Sequence, residues 1–278
     1  MRVGIRVWPD ANFSPPAFRG FSNAETGGAL NGFEVDVARH LAAGLGLELE
    51  LVQAYPPVIA SGAWQGAWDV AIASLVPFDQ PPAGAQIRLY YSKPYAYVPM
   101  GILVPAENNN IQTLSDLAGR RVGVLEHSPY QRLLAARGAN LTVDDQPLLA
   151  EPPPDLQIVP LSNLSKSIRQ LGNPENDEPI QIDAIFGPTP IFQEAIKSDF
   201  SVKLAPEARN LGLQPLVVAT VPQEGLTVDR LIAEINNVLE RLERQGTLAE
   251  IQLDWYGQQT FSQDDIQSPT TDEPANQE

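Results

Sequence analysis

Apolar and polar residues alternate from Arg2 to Val7, a period of two that predicts a β-strand at the start of the chain. From Val35 the period lengthens. Val35, Ala38, Leu41 and Ala42 recur at helical spacing, and Gly44 and Gly46 supply the stop. Alternation returns over 47–53 and predicts a second strand, followed by a short helical piece. Residues 69–74 form a nearly continuous apolar run, the mark of a strand covered on both faces in a parallel sheet. Strand, helix, strand, helix, strand is the order of a doubly wound α/β unit. Residues 9–28 are rich in turn formers and predict a loop carrying Phe13 and Phe18, with Trp8 at its edge.

A second unit begins near Asn110. Residues 113–119 predict a short capped helix and 121–125 a strand. Ser128 at the N-cap with Pro129 behind it opens a helix that runs through Gln131, Leu133 and Leu134 to Gly138. Residues 161–171 predict a helix and 182–186 a strand, set between long loops at 144–155 and 172–179. The first pattern then returns, with a strand over 216–221 and a helix capped by Thr227. That helix carries Leu231, Ile235, Val238, Leu239 and Leu242 on one face and closes at Gly246; a last helical stretch covers 248–257. Beyond it the tail is acidic, polar and without periodicity, and is expected to be disordered.

Composition narrows the function. The chain has no cysteine, which excludes disulfides, thiolate zinc sites and thiol catalysis, and its two histidines are too few for a convincing metal site. A net charge of -16 leaves nothing to neutralise a run of phosphates, so nucleic acid is not an expected partner. No apolar run reaches the roughly 18 residues a membrane helix needs. The first strand starts at once after Met1, so the chain is read as one whose export segment is absent from this sequence. No phosphate loop, nucleophile elbow or metal signature is present, and no cofactor is expected.

Several phrases, in this order, resemble the extracellular solute-binding proteins of the polar amino-acid uptake family. Phe13-Ser14-Pro15-Pro16 with Phe18 resembles the opening of that family. Leu30-Asn31-Gly32-Phe33-Glu34-Val35-Asp36-Val37-Ala38 is similar to its most recognisable stretch. Gly66-Ala67-Trp68-Asp69-Val70 and Tyr91-Ser92-Lys93-Pro94-Tyr95 follow, then Leu114-Ser115-Asp116-Leu117-Ala118-Gly119-Arg120-Arg121-Val122-Gly123-Val124. Asp183-Ala184-Ile185-Phe186 and the closing Gly246-Thr247-Leu248 with Trp255-Tyr256-Gly257 complete the set. The resemblance implies an α/β, two-lobed periplasmic-binding-protein-like fold of type II. Each lobe is then a mostly parallel sheet flanked by helices, and two hinge strands join them near 97–104 and 213–219. The expected organisation is 1–100 as the first part of lobe 1, 101–214 as lobe 2, 215–260 as the return of lobe 1, and 261–278 as the tail.

The ligand would sit between the lobes at the carboxyl ends of the strands. Ser74 ends its strand there. In the family an arginine before the Tyr-Ser-x-Pro-Tyr phrase forks onto a ligand carboxylate; here the matching position is Ala85, within a longer connection, and Arg88 is the nearby substitute. The family aspartate that pairs with a ligand ammonium falls at Pro188. The family carries Gly-Thr where this chain has His127-Ser128, and the free N–H groups of that turn suit an anion. Phe13 is expected to wall the cleft, as the family aromatic does. The candidate ligand-binding residues are therefore Phe13, Ser74, Arg88, His127 and Ser128, with no catalytic residue and no metal ligand. Asp36 and Asp69 are expected to serve structure.

The implied function is the solute-binding component of an ABC importer, a monomer that captures a small polar molecule, an amino acid or related compound held without the usual charge anchors, between two closing lobes and hands it to the transmembrane permease subunits. It is expected in a periplasmic or extracellular, membrane-associated setting. Two other readings stay open: the sensing half of a membrane receptor, and an enzyme resembling cyclohexadienyl dehydratase with Glu126 as its acid or base, supported by His127.

Overall fold

A computed structural model describes residues 1–5, 23–24, 30–81, 84–136, 141–173, 181–198, 200–225 and 227–256. Trp8, Phe13, Phe18, Gly138 and the tail at 261–278 lie outside them, as does most of the loop at 172–179. The elements run β1 (Arg2–Ile5), β2 (Asn23–Ala24), β3 (Leu30–Asn31), α1 (Phe33–Gly44), β4 (Glu50–Gln53), α2 (Pro56–Ser61), β5 (Val70–Leu75) and β6 (Tyr90–Pro105). After a 3-10 turn at Ser115–Leu117 come β7 (Arg121–Leu125), α3 (Pro129–Ala135), β8 (Thr142–Val143), β9 (Gln146–Pro147), β10 (Gln157–Leu161) and α4 (Leu164–Gly172). The chain continues through β11 (Ala184–Pro188), α5 (Thr189–Lys197), β12 (Val202–Leu204), β13 (Leu213–Thr220), α6 (Val228–Arg244) and α7 (Thr247–Tyr256).

The strands join in the order β10-β7-β11-β6-β13-β5-β1-β4, with β12 also on β6. β1 pairs in parallel with β4 and β5, and β7 pairs in parallel with β10 and β11, so each lobe has a parallel heart. The 16-residue β6 links them. It pairs antiparallel with β13 as far as Pro99, opposite Leu213, and with β11 from Met100 onward. This is the two-lobed α/β fold that the sequence pattern and the resemblance imply.

Burial follows the hydrophobic pattern. β5 is buried along Val70–Ser74 because β1 and β13 flank it and both sheet faces are covered. Val35, Ala38 and Leu41 pack in one core cluster with Val3, Ile5 and Ile72, and Ala42 is buried too. Gly4 in β1 is required by packing: a Cβ there would lie 2.8 Å from the indole of Trp68. Asp36 accepts the Trp255 indole N–H at 2.7 Å and Asp69 accepts the backbone N–H of Arg2 at 2.7 Å, both tying the fold together.

Some expected elements differ. The second strand occupies only 50–53 of the expected 47–53, the stretch that pairs with Arg2–Ile5 of β1. The helix expected from Leu161 starts after Asn163, whose side chain accepts the Lys166 N–H at 2.6 Å; Leu161 ends a strand instead. That strand, β10, gave no alternation because it lies at the sheet edge with only Leu161 fully buried. Thr227 precedes α6 but makes no side-chain capping bond.

Candidate functional site

β5 and β7 are parallel strands from opposite lobes, and a cavity of about 690 Å3 opens at their carboxyl ends. Its first-lobe wall is built from α2 and from Ser74, Leu75, Val76, Phe78, Leu89 and Tyr91. The second-lobe wall comes from His127, Ser128, Gln131, Arg132 and Leu141. The size suits a small organic molecule, and a mostly apolar wall with a few converging polar groups is the usual make-up of such sites.

Ser74 and His127 both hold left-handed backbone, with φ of 52° and 55°. Such a conformation strains any residue with a side chain and persists only where its surroundings enforce it. For Ser74 the enforcing group is Glu34, which accepts both its backbone N–H and its hydroxyl, the latter at 3.0 Å. Glu34 also accepts the Tyr95 hydroxyl at 2.9 Å and is fully buried. Burial pushes the Tyr95 phenol well above the usual tyrosine range, and the Glu34 carboxylate adds to the shift. Tyr256 is raised in the same way, by burial first and then by Glu34. Glu34 thus fixes the floor of the cavity through Ser74. A glutamate three, four and seven residues before Val37, Ala38 and Leu41 falls on the buried helix face, the sequence signal for this role.

On the other wall, Ser128 is the N-cap of the seven-residue α3. Its hydroxyl donates to the Leu125 carbonyl at 2.5 Å and accepts the Gln131 N–H at 3.2 Å. The backbone N–H of His127 goes to the Gln131 side chain at 2.8 Å. The turn is therefore largely satisfied within itself. The His127 ring meets Tyr55 edge-on, with ring centroids 5.7 Å apart and the Tyr55 hydroxyl 3.4 Å from Nε2.

The lobes are also clasped next to residues of the cavity lining. Asp79 accepts the Thr142 hydroxyl at 2.6 Å and the backbone N–H groups of Asp145 and Asp144. These bonds, led by that from Thr142, hold its carboxyl below the ordinary aspartate value. Phe78 packs in the core of the second lobe. Arg132 stacks over Phe78, 4.6 Å from the ring centroid, and donates from Nη2 to the Gln80 carbonyl at 3.0 Å. The connection after β5 thus reaches the opposite lobe.

Of the sequence candidates, the structure brings Ser74, His127 and Ser128 to one cavity. Arg88 stands apart from it, exposed on an adjoining groove and 5.5 Å over the Tyr90 ring. Phe13 lies outside the described residues. Tyr91, which opens a family-like phrase, and Arg132 line the cavity, but nothing in the local sequence marks either for it; only the fold brings them together.

A family model of the bacterial extracellular solute-binding proteins, family 3, matches residues 5–258. The chain belongs to this family. Membership of these solute-binding proteins implies a periplasmic location. The probable amino-acid ABC transporter-binding protein of Haemophilus influenzae is 26% identical over 254 residues, which cover 91% of this chain and 84% of that protein. Among solved structures, an ancestral arginine-binding protein bound to arginine aligns with a TM-score of 0.68 at 22% identity, over 92% of this chain and 98% of the other. An ancestral amino acid-binding protein, a precursor of cyclohexadienyl dehydratase, aligns with a TM-score of 0.66 at 21% identity, over 92% and 94%. At these identities the likeness establishes the fold. In this solute-binding protein neither Ala85 nor Pro188 offers a charge: Ala85 borders the Arg88 groove, and Pro188 is buried at the end of β11.

Proposed function

We propose that this protein is the solute-capturing component of an ABC importer and holds a small molecule between its lobes for delivery to permease subunits. The lobes are taken as 1–100 with 215–260, and 101–214. The observation that carries the reading is the cavity at the carboxyl ends of β5 and β7, walled by both lobes, so that one molecule in it contacts both at once. A ligand that touches both walls binds the closed arrangement more tightly than the open one, and that difference drives closure. Closure then supplies the shape that a permease distinguishes. Binding rather than catalysis is favoured because Glu126, the acid named for the enzymatic reading, is not among the described residues lining the cavity.

The test is thermal unfolding of protein refolded free of carried-over solute, against amino acids, amines, small carboxylates and nucleosides. A ligand at about 100 times its Kd adds roughly 2.7 kcal/mol of stability, a rise of several degrees in Tm. Stabilisation by one solute class supports capture. A Tm unmoved by every class overturns it and favours a signalling or scaffolding role.

A further inference from the structure

We propose that the ligand is an organic monocarboxylate with an apolar body, its carboxylate held between Arg132 of the second lobe and Tyr91 of the first. The inference rests on the reading that solute binds between the lobes, and it names the chemical class that the cavity selects.

Arg132 is the observation that leads there. It lines the cavity, is half-buried, and has no carboxylate partner among the described residues. That is unexpected in a chain where 34 acidic residues face 18 lysines and arginines. Taking a guanidinium out of water is costly unless an anion or several acceptors replace the water. Here one carbonyl, that of Gln80, and the face of Phe78 are its described partners. They fix the plane of the guanidinium and leave donors on Nε and Nη1 without a hydrogen bond to any described residue. Burial holds Arg132 below its ordinary value, and Tyr91 opposes the effect.

Tyr91 is the complement. It too lines the cavity and is half-buried, and its hydroxyl makes no hydrogen bond with a described residue. A phenol and a guanidinium that line one cavity from its two walls supply a donor set for one carboxylate. Because the pair spans the lobes, the carboxylate that satisfies it also draws them together. Most of the remaining lining is apolar: Ile59, Leu75, Val76, Phe78, Leu89 and Leu141 suit a hydrocarbon body, and Ser74, His127, Ser128 and Gln131 are among the polar groups on the same walls.

The test compares solutes of one carbon skeleton in different charge forms by titration calorimetry. Hydrocinnamate, hydrocinnamamide, phenylalanine and phenethylamine make one series; isocaproate, isocaproamide, leucine and isoamylamine make the other. In at least one series the acid is expected to bind about tenfold more tightly than its amide or its amino acid. Arg132→Gln is expected to bring the acid-to-amide ratio near one, Arg132→Lys to restore part of it, and Tyr91→Phe to lower acid affinity severalfold. If Arg132 serves only to clasp the lobes, Arg132→Gln weakens acid and amide alike with the ratio unchanged, and the proposal is overturned. A preference for phenylalanine or leucine over the matching acid also overturns it while leaving solute capture intact. Binding of no solute in either series, together with a Tm unmoved across the wider panel, overturns both.

Discussion

The Tyr55 hydroxyl stands 3.4 Å from Nε2 of His127, a contact between residues 72 positions apart that reaches from one lobe to the other. His127 makes it from a left-handed backbone, φ 55°, which a side chain tolerates poorly. A strained residue that lines the cavity and bridges the two lobes is better explained by closure than by stability.

The first prediction follows from that strain. His127→Gly is expected to raise stability by about 0.5–1 kcal/mol, since the relieved strain exceeds the added flexibility of the unfolded chain. The same change removes the bridge to Tyr55 and is expected to speed ligand release. Denaturant unfolding and stopped-flow dissociation measure the two effects; a destabilised variant with unchanged release contradicts the assignment.

Glu34 provides the second. Glu34→Ala leaves the Tyr95 hydroxyl and both donors of Ser74 without their acceptor, at an expected cost of about 3–5 kcal/mol. Glu34→Gln retains a carbonyl acceptor and is expected to cost about 1–2 kcal/mol. Adding Ser74→Gly to the alanine variant recovers part of the loss, because glycine needs no enforcement at that φ. Full stability in Glu34→Ala counts against this account.

A third concerns alkaline pH. The folded-state values of Tyr95 and Tyr256 are raised above their unfolded values, so their contribution is complete below the unfolded value, about 10. It declines as pH rises from there towards the folded values. Unfolding followed by denaturant across that range should show stability falling, with phenolate absorbance from these two tyrosines appearing only on unfolding. Tyr256→Phe is expected to flatten the fall; an unchanged slope argues against burial as its cause.

The clasp made by Asp79 titrates in the opposite sense. The Asp79 carboxyl is held below its unfolded value, so the stability it adds is present above about 3.9 and is lost as pH falls through the lower folded value. Asp79 is exposed, so the effect is small and is read as a difference. Wild type and Asp79→Asn should converge at acid pH and separate above it, with Asp79→Asn also binding ligand less tightly because the closed arrangement loses support. Parallel curves at every pH exclude the charge as the agent.

Much of the fold was legible because burial imposes period. The α1 face and the doubly covered β5 announce themselves, while β10 does not, since an edge strand buried at one position leaves no alternation to read. The site was legible only in part. Ser74 and Ser128 follow from strand end and helix start, rules that act along the chain. Glu34 is a charged residue on an apolar face and needed the fold to show Ser74 and Tyr95 as its reason. Arg132 and Tyr91 meet at one cavity only because β6 and β7 belong to one sheet path. No rule of local spacing contains that.

Capture by closure is tested most directly by an interlobe distance. The chain has no cysteine, so Val58→Cys and Ser162→Cys, at exposed positions one on each lobe, create a single spin-label pair without further changes. Pulsed electron resonance with the tightest-binding solute of the panel reads the distance distribution. The account predicts a broad distribution without solute that narrows and shortens when solute saturates the site. A distribution unchanged at saturation, with calorimetry showing the site filled, contradicts it.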